Sequence, residues 1–126
     1  MGKIMTVNGE INTNELGVTS MHEHLMCDTS SALGPVLALY GTKIPEEAKK
    51  LVTTNLAALR SGMSAFSKEC ITLDDVEFTI GELNFFKMMG GNSIVDASPR
   101  GMPHTIKVLQ EASEKSGVNI VGCTGL

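Results

Sequence analysis

The sequence predicts an α/β fold in which parallel strands alternate with helices, preceded by a small β-hairpin. Short apolar segments typical of buried strands occur at 16–24, 92–97 and 118–123, and segments of helical periodicity separate them. Glycines directly follow the helical segments, where a left-handed residue ends a helix. This order is the signature of parallel βα units, and right-handed crossovers place the three strands side by side with the helices outside.

The hairpin is predicted from the first fifteen residues. Lys3–Val7 has strand character, Asn8-Gly9 favours a type I′ turn, and Glu10-Ile11 returns. Residues 12–14 then form a turn that leads into the first major strand, Leu16–His24.

A long irregular stretch, 26–44, follows the first strand and is rich in turn-forming residues. We expect a helix to begin near Pro45 and to end at Ser61-Gly62. Its apolar positions, at helical spacing, are Ala48, Leu51, Val52, Leu56 and Leu59. The connection 63–71 is expected to carry a short strand or a turn.

The second and third helices have clearer ends. Asp74 is the predicted N-cap of the second helix, with Glu77 as its capping-box partner, and Gly90-Gly91 ends it. The predicted inward face of this helix is Val76, Ile80, Leu83 and Phe86. The third helix, Thr105–Ser116, follows the loop 98–103 and is stopped by Gly117. Its predicted inward residues are Ile106, Leu109 and Ala112.

Composition and charge exclude several classes of protein. The formal net charge is −4, which argues against nucleic acid or an anionic membrane as the partner. No apolar run approaches the roughly 20 residues of a membrane helix, and the first residues lack a basic-then-apolar pattern, so we expect neither a membrane span nor a secretory signal. Because Cys27, Cys70 and Cys123 are odd in number and widely spaced, we expect reduced, mostly buried thiols in a cytoplasmic protein.

His22 and His24 are the candidate metal ligands. Residues two apart on a strand point to the same face, so both imidazoles face one way and Glu23 faces the other. Two neutral imidazoles on one face can hold one divalent metal. The alternative is a pair of polar residues hydrogen-bonded to nearby backbone. His104 is the remaining histidine, so this sequence offers an incomplete ligand set.

Other polar residues near the predicted strand ends have weaker roles. Asp96 ends the second strand and either supports a metal site or, as we favour, caps the following loop. Arg100 could hold an anionic substrate group, although a solvated loop arginine is the simpler interpretation. His104 at a helix start is expected to be exposed. Cys123 is expected to be a small core residue, and Asp28 has no assigned role.

Three segments together carry a resemblance to a known family. Residues 15–25 contain Gly17, Thr19 and His22-Glu23-His24 in the order of the opening metal motif of the phosphotriesterase family, within the amidohydrolase superfamily. Residues 90–99 and 116–126 resemble that family's second and third strands. The resemblance covers nearly the whole chain, as the N-terminal part of a family member.

The resemblance implies a (β/α)8 barrel with a binuclear metal centre, usually zinc. His22 and His24 would then ligate the more buried metal, and a metal-activated hydroxide would attack a phosphotriester, lactone or related ester. The family's carboxylated lysine, two further histidines and late aspartate would lie beyond Leu126, as would the catalytic residues. At 101–105 the arginine and aspartate of the family's usual Gly-x-Gly-Arg-Asp are replaced by His104 and Thr105, which alters the expected substrate and loop contacts.

Two hypotheses follow for the chain. In the first it is one partial domain, with a hairpin at 1–15 and the first three βα units at 16–126, of a hydrolase acting on a small-molecule ester. Such barrels need about 250 residues, so we expect the chain alone to be inactive. Zinc-dependent turnover by residues 1–126 that is lost in His22→Ala would overturn that expectation. In the second it is a non-catalytic half-barrel that forms a homo-oligomer or binds a partner chain.

Overall fold

The computed structural model describes residues 2–30, 50–60, 67–99 and 106–124. The chain divides into two compact units. The larger unit joins the chain up to Met26 with the chain from Asp74 onward, and the smaller unit is Cys27–Leu73.

Within the described ranges, the chain is built from short strands and helices. The strands, in chain order, are β1 (Lys3–Thr6), β2 (Gly9–Asn12), β3 (Thr19–Glu23), β4 (Cys27–Asp28), β5 (Thr72–Leu73), β6 (Ser93–Asp96) and β7 (Asn119–Gly122). The helices are α1 (Leu56–Arg60), α2 (Lys68–Ile71), α3 (Val76–Met88) and α4 (Ile106–Ser116). Turns of 3-10 helix occupy Thr13–Glu15 and Thr53–Asn55.

A parallel sheet with the strand order β3-β6-β7 organises the larger unit. The predicted α/β fold, with three parallel strands side by side and a preceding hairpin, is therefore confirmed. Ser93 pairs with Asn119 and Asp96 with Gly122, so β6 and β7 end level with each other. The carboxyl ends of all three strands consequently lie at one edge of the sheet, where ligands bind in such folds.

The core of the larger unit forms where α3 and α4 cover the sheet. Its most buried apolar side chains are Leu83, Ile94, Leu109, Ala112, Val118 and Ile120. The predicted inward face of α3 is confirmed, because Ile80 and Leu83 are buried and Val76 and Phe86 pack against the core. The prediction for Ile106 is wrong: at the first position of α4 its side chain is more than half exposed.

The ends of α3 differ slightly from prediction. Asp75, rather than Asp74, is the N-cap, and its carboxylate accepts a hydrogen bond from the Phe78 N–H at 3.0 Å. The helix ends at Met88, and Gly90 follows in the left-handed region with φ of 96°. The predicted glycine stop is thus confirmed, whereas the cap is displaced by one residue.

The hairpin turn also differs from prediction. Thr6 pairs with Gly9, so the two-residue loop is Val7-Asn8 rather than Asn8-Gly9. Gly9 has φ of 114° but Asn8 does not have a positive φ, which excludes the predicted type I′ turn. Val7 is held instead by the sheet, since its N–H donates to the Ile120 carbonyl at 2.8 Å.

The smaller unit departs most from the sequence prediction. Val52 is extended, with φ of −133° and ψ of 152°, so the helix predicted from Pro45 does not run continuously to Ser61. Among the described residues of this stretch, helical backbone begins at Thr53, and Pro45 itself lies outside them. The carbonyl of Lys50 accepts a hydrogen bond from the Asn55 side chain, and the Asn55 Oδ1 accepts one from the Val52 N–H. These bonds cap the helical segment and exclude the preceding residues from it.

Further along this unit, the short helix α2 occupies the end of the stretch 63–71 that was predicted to carry a short strand or a turn, and β5 follows directly after that stretch. Residues 63–66 lie outside the described residues. β5 pairs antiparallel with β4, placing Leu73 opposite Cys27 and Thr72 opposite Asp28. Thr29 extends this pairing, because both its N–H and its hydroxyl donate to the Ile71 carbonyl at 3.0 Å.

Candidate metal site

The two candidate ligands stand at the carboxyl end of β3. His22 is the penultimate residue of β3 and His24 is the first residue after it, and both side chains are exposed. The strand end is fixed by β6, since Glu23 pairs with Asp96 and the Glu23 carbonyl accepts from the Ala97 N–H at 2.8 Å. The imidazoles are therefore held by a paired backbone while their rings remain accessible.

The two rings lie side by side. Their centroids are 5.4 Å apart and their planes are inclined at 78°. A tetrahedral zinc about 2 Å from one nitrogen of each ring requires ring centres roughly 5 Å apart. The separation and the nitrogen donors therefore fit a shared divalent metal, and the role of His22 and His24 as ligands stays a prediction.

A register shift in β3 between Ser20 and Glu23 affects the direction of the side chains near the two histidines. Thr19 and Ser20 pair with Ser93 and Ile94, but Glu23 pairs with Asp96, so β3 has one residue more than β6 over this span. Such a bulge redirects side chains near functional sites. Consistent with the extra residue, the Ser20 hydroxyl donates to the Glu23 carboxylate at 2.5 Å although the two are three residues apart. Glu23 is engaged in this contact rather than with the imidazoles.

His24 is connected to the end of β6 through a buried serine. Its Nδ1 lies 3.0 Å from the Ser98 Oγ, within hydrogen-bonding distance. The Ser98 N–H donates to Asp96 Oδ1 at 2.9 Å, so the aspartate caps the loop, as the sequence favoured. Sequence reasoning missed Ser98 as a site residue. The sequence does carry a signal for it: the spacing Asp-x-Ser is typical of an aspartate side chain that caps the backbone two residues on.

Asp96 has an unusual environment for a carboxyl group. It is 1% exposed, because it shares a side of β6 with the core residue Ile94. Its Oδ2 is buried and has no hydrogen-bond partner among the residues that the structure describes. A buried polar atom without a partner costs about 1–3 kcal/mol, so the loop cap comes with a local penalty.

The remaining candidates differ from expectation or lie outside the described residues. Cys123 follows β7 and is exposed, so its predicted core position is wrong. Cys70 is also exposed and Cys27 is half-buried, which corrects the expectation of mostly buried thiols; no disulfide joins the three. Arg100 and His104 lie outside the described residues.

Asp28 belongs to the smaller unit and has a local role. Its carboxylate accepts a hydrogen bond from the Ser30 N–H at 2.7 Å. Hydrogen bonds from Ser30 hold the pKa of Asp28 below its ordinary value. The Asp28 carboxylate therefore caps the backbone two residues further along the chain.

The donor set is incomplete within the described ranges. No group of three or more His, Cys, Asp and Glu side chains is arranged there to hold a metal ion. Zinc takes three or four protein ligands, so the two imidazoles supply part of a site. In the same ranges, no helix has both the length and the apolar character needed to cross a bilayer.

Comparison with known proteins agrees with the fold and the motif. The model of the phosphotriesterase family matches residues 2–126. An N-acetyltaurine hydrolase from Xenopus tropicalis is 31% identical over 124 residues, which is 98% of this chain and 35% of that protein. The chain therefore spans about a third of the length of this curated relative.

Comparison with solved structures also finds proteins that share this fold over part of their length. A resiniferatoxin-binding protein from Rhodobacter sphaeroides is 33% identical with a TM-score of 0.75, over 96% of this chain and 33% of that one. A lactonase from Listeria monocytogenes is 22% identical with a TM-score of 0.64, over 98% and 28% of the two chains, and shows the shared fold. The described sheet corresponds to the N-terminal third of the barrel in such structures.

Proposed function

Because the chain belongs to the phosphotriesterase family, we propose that it is the N-terminal part of a metal-dependent hydrolase in which His22 and His24 ligate the metal. The observation that carries the proposal is the pair of accessible imidazoles, 5.4 Å apart, at the carboxyl end of β3. Zinc is the metal proposed, since two neutral imidazoles suit it. The ligands and catalytic groups that complete the site are proposed to lie in sequence beyond Leu126.

The chain contributes positioning and donor atoms to the chemistry. A bound divalent metal lowers the pKa of its water and polarises the bond to be cleaved. His22 and His24 each offer one ring nitrogen, and the β3–β6 pairing positions the backbone that carries the two rings, whose centroids are 5.4 Å apart. Since the rings are exposed at the edge of the sheet, both metal and substrate can reach them.

The proposed substrate is a small-molecule phosphotriester, lactone or related ester. The relatives favour a second candidate class, because an N-acetyltaurine hydrolase is among the curated proteins that the chain resembles at 31% identity. An N-acyl compound would use the same metal chemistry, with an amide bond in place of the ester bond. Parallel assays with ester, lactone, phosphotriester and N-acyl substrates on the full-length protein would separate the classes.

The metal proposal is tested by titrating zinc into the purified full-length protein and measuring the affinity by calorimetry. We expect His22→Ala and His24→Ala each to weaken zinc binding by more than about tenfold, since even a residue that only supports a ligand contributes that much. Glu23→Gln is the matched control: it lies between the two histidines, but its carboxylate contacts Ser20. Wild-type affinity in both histidine variants, or no zinc binding by the wild type, would refute the proposal.

One observation favours the non-catalytic alternative. On α3 and just after it, several large apolar side chains are more than half exposed: Phe78, Phe85, Met88 and Met89. Apolar surface of this kind is usually covered by another segment or chain. A sharp dimer in size-exclusion chromatography, together with absent zinc binding, would favour a self-associating half-barrel over the hydrolase.

A further inference from the structure

We infer that Ser98 is a positioning residue for His24: its hydroxyl accepts a hydrogen bond from Nδ1–H and so leaves Nε2 free to bind the metal. The inference rests on the proposed function, since it concerns how one of the two ligands is oriented. The contact that carries it is the 3.0 Å separation between His24 Nδ1 and Ser98 Oγ.

A neutral imidazole carries a single N–H, so the two ring nitrogens have opposite roles. The nitrogen that binds a metal must offer a lone pair, and the other then carries the hydrogen and donates it. Metal-binding histidines accordingly donate the second N–H to a carboxylate, a carbonyl or a similar acceptor, which fixes both tautomer and ring orientation. Ser98 Oγ is in place to be that acceptor for His24.

The backbone that carries the Ser98 hydroxyl is held at two points. Its own N–H donates to Asp96 Oδ1 at 2.9 Å, and Ser98 is 4% exposed, so the loop has little freedom at this point. The neighbouring Ala97 N–H donates to the Glu23 carbonyl, one residue before His24. The serine and the histidine therefore belong to adjoining strand ends joined by a backbone hydrogen bond.

This arrangement gives the buried carboxyl group at the end of β6 a role. No hydrogen bond among the described residues joins Asp96 directly to His24, and Asp96 Oδ2 has no hydrogen-bond partner in the same ranges. Its other oxygen holds the backbone of Ser98. Asp96 thus acts on the histidine through the serine, and the hydrogen-bonded path runs from Asp96 to Ser98 to His24.

The first test reads the tautomer of His24 in metal-free protein by nitrogen-15 NMR, above about pH 8 where imidazoles are neutral. We expect hydrogen on Nδ1 in the wild type and a shift toward Nε2–H in Ser98→Ala. Ser98→Thr keeps a hydroxyl and is expected to restore the wild-type spectrum. A wild-type ring with hydrogen on Nε2 would overturn the inference, because Ser98 would then be the donor.

The second test is zinc affinity, with a matched control. Ser98→Ala is expected to weaken binding about 10- to 100-fold. Ser113→Ala removes a hydroxyl from another buried serine, bonded to the Val118 carbonyl at 2.7 Å, and is expected to leave zinc affinity unchanged. If Ser98→Ala binds zinc like the wild type while His22→Ala does not, the inference fails and the proposed function stands. If the wild type binds no zinc, the proposed function fails.

Discussion

Replacing Gly17 by alanine tests how closely the start of β3 approaches the start of β6. Gly17 has φ of 60°, and a Cβ built on it would lie 2.7 Å from the Asn92 Cβ and 2.8 Å from its Cγ and Nδ2. The N–H groups of Asn92 and Ser93 both donate to the Val18 carbonyl, at 2.8 and 3.1 Å. The substitution therefore forces two strands apart at the point where their pairing begins.

Gly117 is a matched control for this substitution. Its φ is 67°, close to that of Gly17, but nothing lies within 4 Å of the position a Cβ would take. Gly117→Ala should lower the free energy of unfolding only by the strain of a left-handed alanine, about 1–2 kcal/mol. Gly17→Ala should add the cost of forcing atoms into packed space, about 1–3 kcal/mol, for a total of roughly 2–5 kcal/mol.

The assay is urea denaturation, comparing the free energy of unfolding of the two variants with that of the wild type. A double-mutant cycle with Asn92→Gly, which removes the three contacting atoms, should recover most of the excess loss in Gly17→Ala. Equal losses for Gly17→Ala and Gly117→Ala would refute the reasoning, because strain alone would then explain both.

Two further predictions concern the core and the acid stability. In urea denaturation, Leu83→Ala should lower the free energy of unfolding by about 2–5 kcal/mol, because the Leu83 side chain is buried. Phe85→Ala, on the exposed side of the same helix, should change it by at most about 0.5 kcal/mol. Hydrogen bonds from the Asn12 N–H and side-chain amide hold the pKa of Glu15 below its ordinary value. The stability that this carboxylate contributes is present above the unfolded-state pKa and is lost as the pH falls through the folded-state pKa. Glu15→Gln should therefore show a smaller fall in urea midpoint between about pH 6 and pH 3 than the wild type; an unchanged or larger fall would contradict this.

The sequence predicted the features that depend on local pattern. Periodicity identified the buried face of α3, and Gly90 and Gly117 marked the helix ends, because few other residues tolerate the left-handed backbone found there. The order of strands and helices was sufficient to predict the parallel sheet, since right-handed crossovers leave few other ways to arrange the strands. The closeness of the His22 and His24 rings was also predictable, because the two residues are two apart at the end of an extended segment.

Tertiary structure decided what depends on contacts between distant segments. In the Val7-Asn8 loop, the Val7 N–H bonds to the carbonyl of Ile120, which is far away in the sequence. The hydrogen bond between Ser98 and His24 joins residues 74 positions apart. No repeat or local propensity encodes such a pair; it exists because β3 and β6 are adjacent and end together. The sequence alone determined which residues stand at the strand ends, and packing determined which of them touch.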